Sequence, residues 1–242
     1  MKIIPLSSGS HGNSYVVKAG EDTILLEAGL SQGDLKHSLW DYDINVKDIE
    51  LCLVSHSHQD HFKSVEWLSN RGVKVGLPSS AVEKGLFKRL IRKDRLIELE
   101  PYKTAKQGNW YVKPFELEHD GIENLGFLLL HAPTDERLFY ATDTAFIKEV
   151  PQNVDVMMIE INFQKKYLEE SVKEGTMSRE NMRRIMRSHM SLQTTLDFLK
   201  ACDLSKTKQI YALHLSGRNS NAEEIREAIQ EEVGTIVKIA GK

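Results

Sequence analysis

Residues 55–61, SHSHQDH, follow directly on the apolar run IELCLV. A short apolar run of this kind reads as a buried β-strand, so three histidines and an aspartate arrive together at one strand end. No other segment constrains the fold as much, because the strand must stop at an edge that distant parts of the chain can also reach. His56 and His58 are two residues apart and, where the chain stays extended, project to the same side and share one cation. Asp60 and His61 lie beyond Gln59, where the chain turns into the next helix, and can address a second cation. Imidazole together with carboxylate suits zinc or manganese, and ligand type alone does not separate the two. The bland alternative, a solvated histidine-rich loop, is a poor match to a segment that ends a buried strand.

Two cations need more ligands than one loop holds, so further His and Asp residues are expected at other strand ends. His119 follows YVKPFELE, Asp143 follows LFYAT, and His214 lies in YALHLS. Each alone reads as an ordinary polar residue at a strand end. Their joint placement, added to the cluster, favours ligation.

Around these residues the chain alternates strand and helix patterns. KIIPLS, NSYVVKA and TILLEAG form a meander with turns at GSHGN and GED. SQGDLKHSLWDYD, SVEWLSNRG and SAVEKGLFKRLIRK read as helices around the strands IELCLVS and VKVGLP. RLIEL, WYVKPFEL, NLGFLLLHA, RLFYATD and VDVMMIEIN are strands. Helices are expected over about 166–174, 178–187 and 191–201, followed by strand KQIYALHLS, helix AEEIREAIQEEVG with Gly234 as its cap, and strand TIVKIA. Strands in two clusters with helices between them suggest two sheets face to face with helices outside, a four-layer αββα sandwich of the α/β class. Other layered α/β folds stay open on periodicity alone. A single domain over residues 1–242 is expected.

Composition narrows the function classes. Apolar residues make up 40% and charged residues 28% of the chain, which is globular rather than disordered. The longest apolar run, LGFLLL, is far short of the roughly 20 residues of a membrane span, and MKIIPLSSG is too short for a secretion signal, so no membrane association and cytoplasmic residence are expected. Cys52 and Cys202 lack CxxC spacing and read as free thiols. The formal net charge is −3, so any surface for nucleic acid is local. KGLFKRLIRKDR at 84–95 and the cations Lys165, Lys166, Lys173, Arg179, Arg183, Arg184 and Arg187 are candidates, with solvated helix faces as the equal alternative.

The order HSHQDH, isolated His119, Asp143 in TDT and His214 before Leu-Ser resembles the HxHxDH–H–D–H signature of the metallo-β-lactamase superfamily over essentially the whole chain. The resemblance implies the αββα sandwich, one metal on His56, His58 and His119, a second on Asp60, His61 and His214, and Asp143 bridging them. His11, His37 and His131 fall outside the motif order. True β-lactamases of this fold usually carry Cys where this chain has Asp143, and the diiron oxygen-reducing branch replaces the second histidine of the cluster with Glu, whereas His58 is retained here. A bridging carboxylate with histidines fits hydrolysis of phosphodiesters or thioesters by a hydroxide held between metals roughly 3.5–4 Å apart. His189 in RSHMS and Glu160 in MIEIN match the proton-donating pair of the ribonuclease Z and nucleic-acid-processing branch, with Glu160 orienting His189 and His189 assisting the departing oxygen.

PLSSGSHGNSYVV also resembles the start of the small YycJ (WalJ)-like nuclease group, whose hallmark is an SGSxGN turn. The resemblance implies Asn13 and His189 as substrate-binding residues and DNA as the substrate, with exonuclease action. Glu27 in ILLEAGLS stands where the group has Asp, and MRSHMS departs from its usual GHLS. The expected function is therefore a two-metal phosphodiesterase acting on nucleic acid, DNA favoured, with Asp60, His189 and Glu160 as catalytic residues and zinc or manganese as cofactors. A small-molecule hydrolase (thioesterase or cyclic-nucleotide phosphodiesterase) and a non-catalytic metal-binding regulatory module are the alternatives.

Overall fold

Alternation of side chains across each strand decides the layering. In β3 (Asp22–Leu26), Ile24 and Leu26 face one core while Leu25 faces another. In β9 (Ile122–His131), Leu125, Phe127 and Leu129 point to the first of these cores and Leu128 packs on a third. Strands buried on both faces need cover on both sides, and the computed structural model, which describes residues 1–83 and 90–241, supplies it as four layers.

The first sheet has six strands in the order β1 (Lys2–Ser7), β2 (Ser14–Ala19), β3, β4 (Ile49–Leu53), β5 (Lys74–Pro78) and β6 (Leu96–Leu99). Its first two pairs are antiparallel and the rest parallel. The second sheet has seven: β13 (Ile236–Ile239), β12 (Gln209–Leu213), β11 (Val156–Glu160), β10 (Glu136–Ala141), β9, β8 (Trp110–His119) and β7 (Ala105–Gln107). Strands β10 to β13 are parallel, and β7 to β10 antiparallel. Between the sheets lies one core that joins Tyr15, Leu26 and Leu53 to Phe127, Tyr140 and Leu213.

Outside the first sheet lie α1 (Gln32–Asp41), α3 (Val65–Asn70) and α4 (Ser79–Glu83), which bury Leu35, Leu39, Val65, Leu68, Ala81 and Val82 on its outer face. Outside the second lie α7 (Leu192–Ala201) and α8 (Ala222–Val233), burying Phe198, Leu199, Ile225 and Ile229. The caps follow the sequence: Ser191 accepts from Thr194 N–H at the start of α7, and Gly234, at φ 63°, closes α8. The αββα expectation is met.

Two elements differ from the sequence reading. Strand β7 was not foreseen, because its three residues AKQ carry no apolar pattern; it adds at the sheet edge by backbone pairing with β8. The helix expected over SAVEKGLFKRLIRK is present as α4 at its start, residues 84–89 lie outside the described residues, and residues 90–92 are not helical. The first half of the basic run at 84–95 therefore falls outside the description, and Arg92 and Arg95 both pair with Asp94. Among the described residues no helix is long and apolar enough to cross a membrane.

Candidate metal centre

Ligands in open α/β sheets gather outside the carboxyl ends of the strands. His56 lies three residues past β4, His119 ends β8, Asp143 is two residues past β10, Glu160 ends β11 and His214 follows β12. His58 precedes α2 (Gln59–Phe62), which carries Asp60 and His61 in its single turn, and His189 caps the C-terminus of α6 (Arg179–Ser188). His61 and His214, 153 residues apart along the chain, thereby come to a ring-centroid distance of 6.2 Å.

Backbone bonds lock the HSHQDH loop in place. Asn13 N–H donates to Asp60 O at 2.8 Å, Ala28 N–H to His61 O at 2.7 Å and Gly29 N–H to Asn13 O at 2.9 Å. A Cβ on Gly29 would lie 1.6 Å from Asp60 O, so only glycine permits this approach. Glu27, Asp143 and His214 have φ of 62°, 51° and 54°, the left-handed region that non-glycine residues enter at a cost of about 1–3 kcal/mol each. Buried side chains hold two of these backbones: Asn124 Nδ2 donates to Asp143 O at 2.7 Å, and Asn162 Nδ2 to His214 O at 3.0 Å.

His56 Nε2 and His119 Nε2 lie 3.1 and 3.3 Å from His58 Nδ1. His119 donates its Nδ1 proton to Ser188 O at 3.1 Å, which leaves Nε2 as a lone pair facing the other two rings. Burial, together with neighbouring imidazoles, lowers the pKa of His56 and His58 and keeps both neutral. Three ring nitrogens converging on one point have the donor character of a divalent-cation site.

Asp143 faces two ways. Its Oδ2 lies 3.1 Å from His61 Nε2, 3.6 Å from His56 Nε2 and 3.9 Å from His119 Nε2, while Oδ1 is 2.5 Å from His214 Nδ1. Asp60 Oδ2 is 3.5 Å from His61 Nε2 and lies at the edge of this set. Burial opposes charge on both Asp143 and His214, yet their mutual attraction wins: the Asp143 carboxyl is held well below the usual range and His214 is pushed up to about 10. The groups His56–His58–His119, His56–His61–Asp143 and Asp143–Glu160–His189–His214 each bring their donor atoms within 4.8 Å of one another. This donor set fits divalent cations.

Glu160 is buried at the centre of the third group. Its Oε1 lies 2.5 Å from His189 Nδ1 and 3.3 Å from His214 Nδ1, and Oε2 accepts from Thr144 N–H and Met190 N–H. Burial works against a charge on His189, but the Glu160 carboxylate outweighs it and raises its pKa. Asn13 is different from its expected place at the substrate. It is fully buried, with Oδ1 accepting from Gly9 N–H and Tyr15 O–H and Nδ2 3.1 Å from His61 Nε2, the nitrogen that also faces Asp143, and it does not line the cleft.

The structure also places the residues that the sequence set apart from the ligand order. Glu27 Oε2 lies 3.3 Å from His61 Nδ1 while Oε1 accepts from Tyr140 O–H at 2.9 Å, so the longer acid still backs His61. Exposed His11 lines the cleft mouth with Ser8 and Ser10. His131 bonds Asp22 and Thr134 away from the centre, and His37 pairs with Asp41 on the surface.

The beta-lactamase superfamily domain model matches residues 22–215 of this chain. The chain belongs to the metallo-β-lactamase superfamily. Among characterised members, this superfamily chain is similar to the exodeoxyribonuclease YycJ of Bacillus anthracis, 27% identical over 233 residues that cover 93% of this chain and 86% of the relative. It is also similar to the exodeoxyribonuclease WalJ of Streptococcus pneumoniae, 24% identical over 89% of this chain and 81% of the relative. The metallo-β-lactamase fold protein YhfI of Bacillus subtilis superposes with a TM-score of 0.76 at 14% identity, covering 99% of this chain and 97% of the other, which shows the shared fold.

Proposed function

We propose that the protein is a metal-dependent phosphodiesterase acting on nucleic acid, with DNA as the favoured substrate, and that two divalent ions, zinc or manganese, occupy the cleft. His56, His58 and His119 would hold one, Asp60, His61 and His214 would hold the other, and Asp143 would serve both. Bound there, the ions lower the pKa of water toward neutrality and offset charge on the phosphoryl group. Holding the second ion requires His214 to release the proton it shares with Asp143.

The chain's own groups carry the proton transfers. Asp60, at the edge of the donor set, accepts a proton from the attacking water. Glu160 fixes the His189 ring through Nδ1, so the opposite nitrogen, Nε2, carries the proton toward the departing oxygen. The raised pKa keeps that proton available at neutral pH. The observation that carries the reading is this 2.5 Å Glu160–His189 contact at the cleft wall. A departing alkoxide needs a proton donor far more than a departing thiolate does, so the pair supports phosphodiester over thioester cleavage. The similarity to proteins named exodeoxyribonucleases supports the same substrate class.

Turnover of labelled single- and double-stranded DNA and RNA, bis(p-nitrophenyl) phosphate and a glutathione thioester by metal-supplemented protein tests the proposal. DNA hydrolysis exceeding thioester hydrolysis by orders of magnitude is expected. Turnover of the thioester alone overturns it, and no turnover of any substrate favours the regulatory metal-binding alternative.

A further inference from the structure

His189 separates two concavities. On one side is the metal cleft, which Arg184 and Ile185 of α6 also line. On the other is a cavity of about 300 Å³, bounded by the end of α6, the start of α7 and the segment between β11 and α5 (Lys165–Lys173). That volume is at the small end of ligand pockets. His189 is the residue that lines both, so a molecule bound at the proton donor has a second chamber next to it.

The chamber's lining chooses among occupants. Phe163, Leu192 and Leu196 give it an apolar floor, and Met186 stands over it at 41% exposure, an unusual place for a large apolar side chain on a helix otherwise rich in Arg. Methionine offers an adaptable surface for flat groups. Among the described residues no carboxylate lines the chamber, so it does not suit a cation. Its lysines are committed elsewhere, Lys166 to Glu224 at 2.5 Å and Lys165 to Glu169 at 3.8 Å, which argues against a site built for a bare phosphate. At the rim Gln193 donates Nε2 to Asp197 at 2.9 Å and keeps its carbonyl oxygen as an acceptor. An uncharged planar ring with hydrogen-bonding edges meets all of these terms.

We infer that this chamber binds the nucleobase on the departing-oxygen side of the scissile phosphate, with Met186 and Leu196 against its faces and Gln193 at its edge. The inference rests on the nucleic-acid phosphodiesterase reading above and adds to it the side on which the enzyme grips its substrate. It makes His189 both the proton donor and the partition that sets the distance from base to phosphate.

The test uses manganese-reconstituted full-length protein and short DNA oligonucleotides with one cleavable phosphodiester. The base is intact on both sides, or removed on the departing side, or removed on the other. Loss of the departing-side base raises KM by about tenfold, within the range that a single base contact contributes in single-strand binders; loss of the other base changes KM little. In Leu196→Trp, whose indole fills the chamber, the ratio between abasic and intact substrate falls toward one. Met186→Ala, an exposed change that spares the core, narrows the same ratio. Equal KM for all three oligonucleotides in the unaltered protein overturns the inference while leaving the phosphodiesterase reading intact, as does a ratio that persists undiminished in both variants. Failure to hydrolyse any phosphodiester overturns that reading instead.

Discussion

A histidine can offer only one of its two nitrogens inward, and whatever holds the other decides which. At His119 the holder is a backbone carbonyl and at His56 the Ser55 hydroxyl at 2.9 Å, while at His61 the Glu27 carboxylate faces Nδ1 at 3.3 Å as a charge partner without a hydrogen bond. Glu27 is the least replaceable of these, because it also accepts from Tyr140 O–H and Ser55 N–H in a fully buried setting. Glu27→Gln keeps the shape and removes the charge. Metal affinity is expected to fall by about 10–100-fold, as for other outer partners of metal ligands, measured by competition with a chromophoric chelator; unchanged affinity contradicts the role. The candidate ligands were legible only jointly, because His119, Asp143 and His214 each read as ordinary strand-end residues until they are set beside the HSHQDH cluster. Their supports were not: Asn124 and Asn162 look like ordinary strand-end amides until the left-handed backbones they hold are seen.

At the scale of elements, the second sheet depends on polar ties at the end opposite the metals. Asp155, buried just before β11, accepts from Arg137 N–H at 2.9 Å and pairs with Lys206 at 3.3 Å and Lys208 at 3.1 Å. It thereby ties the start of β10 to the approach of β12. Burial opposes its charge, but the Arg137 N–H and the two ammonium groups outweigh burial and lower its pKa. Folding therefore favours the ionised form. The resulting stability is complete above the unfolded value of about 3.9 and is lost as pH falls through the lower folded-state value. Asp155→Asn is expected to cost about 1–3 kcal/mol at pH 7, with the gap to the unaltered protein shrinking below pH 4 in urea titrations; a gap independent of pH contradicts the tie. Most strands and helices were legible from period and caps. Strand β7 was not, since it exists through pairing with β8 rather than through anything in AKQ.

Across the whole molecule, two sheets with a shared core place five strand ends along one rim, and the loop between β4 and α3 closes it. The four layers were legible from two strand clusters separated by helices. Strand order and register were not, because pairings such as Ile159 with Ala212 join residues far apart in sequence. What unites residue, element and fold is the claim that this rim exists to hold divalent ions for phosphodiester cleavage. Chelator-stripped protein titrated with manganese or zinc, with hydrolysis of 5′-labelled DNA followed at each addition, tests that claim most directly. Activity is predicted to be absent at the start and to rise until about two equivalents are bound. Undiminished hydrolysis by stripped protein, or none at any metal content, would contradict it.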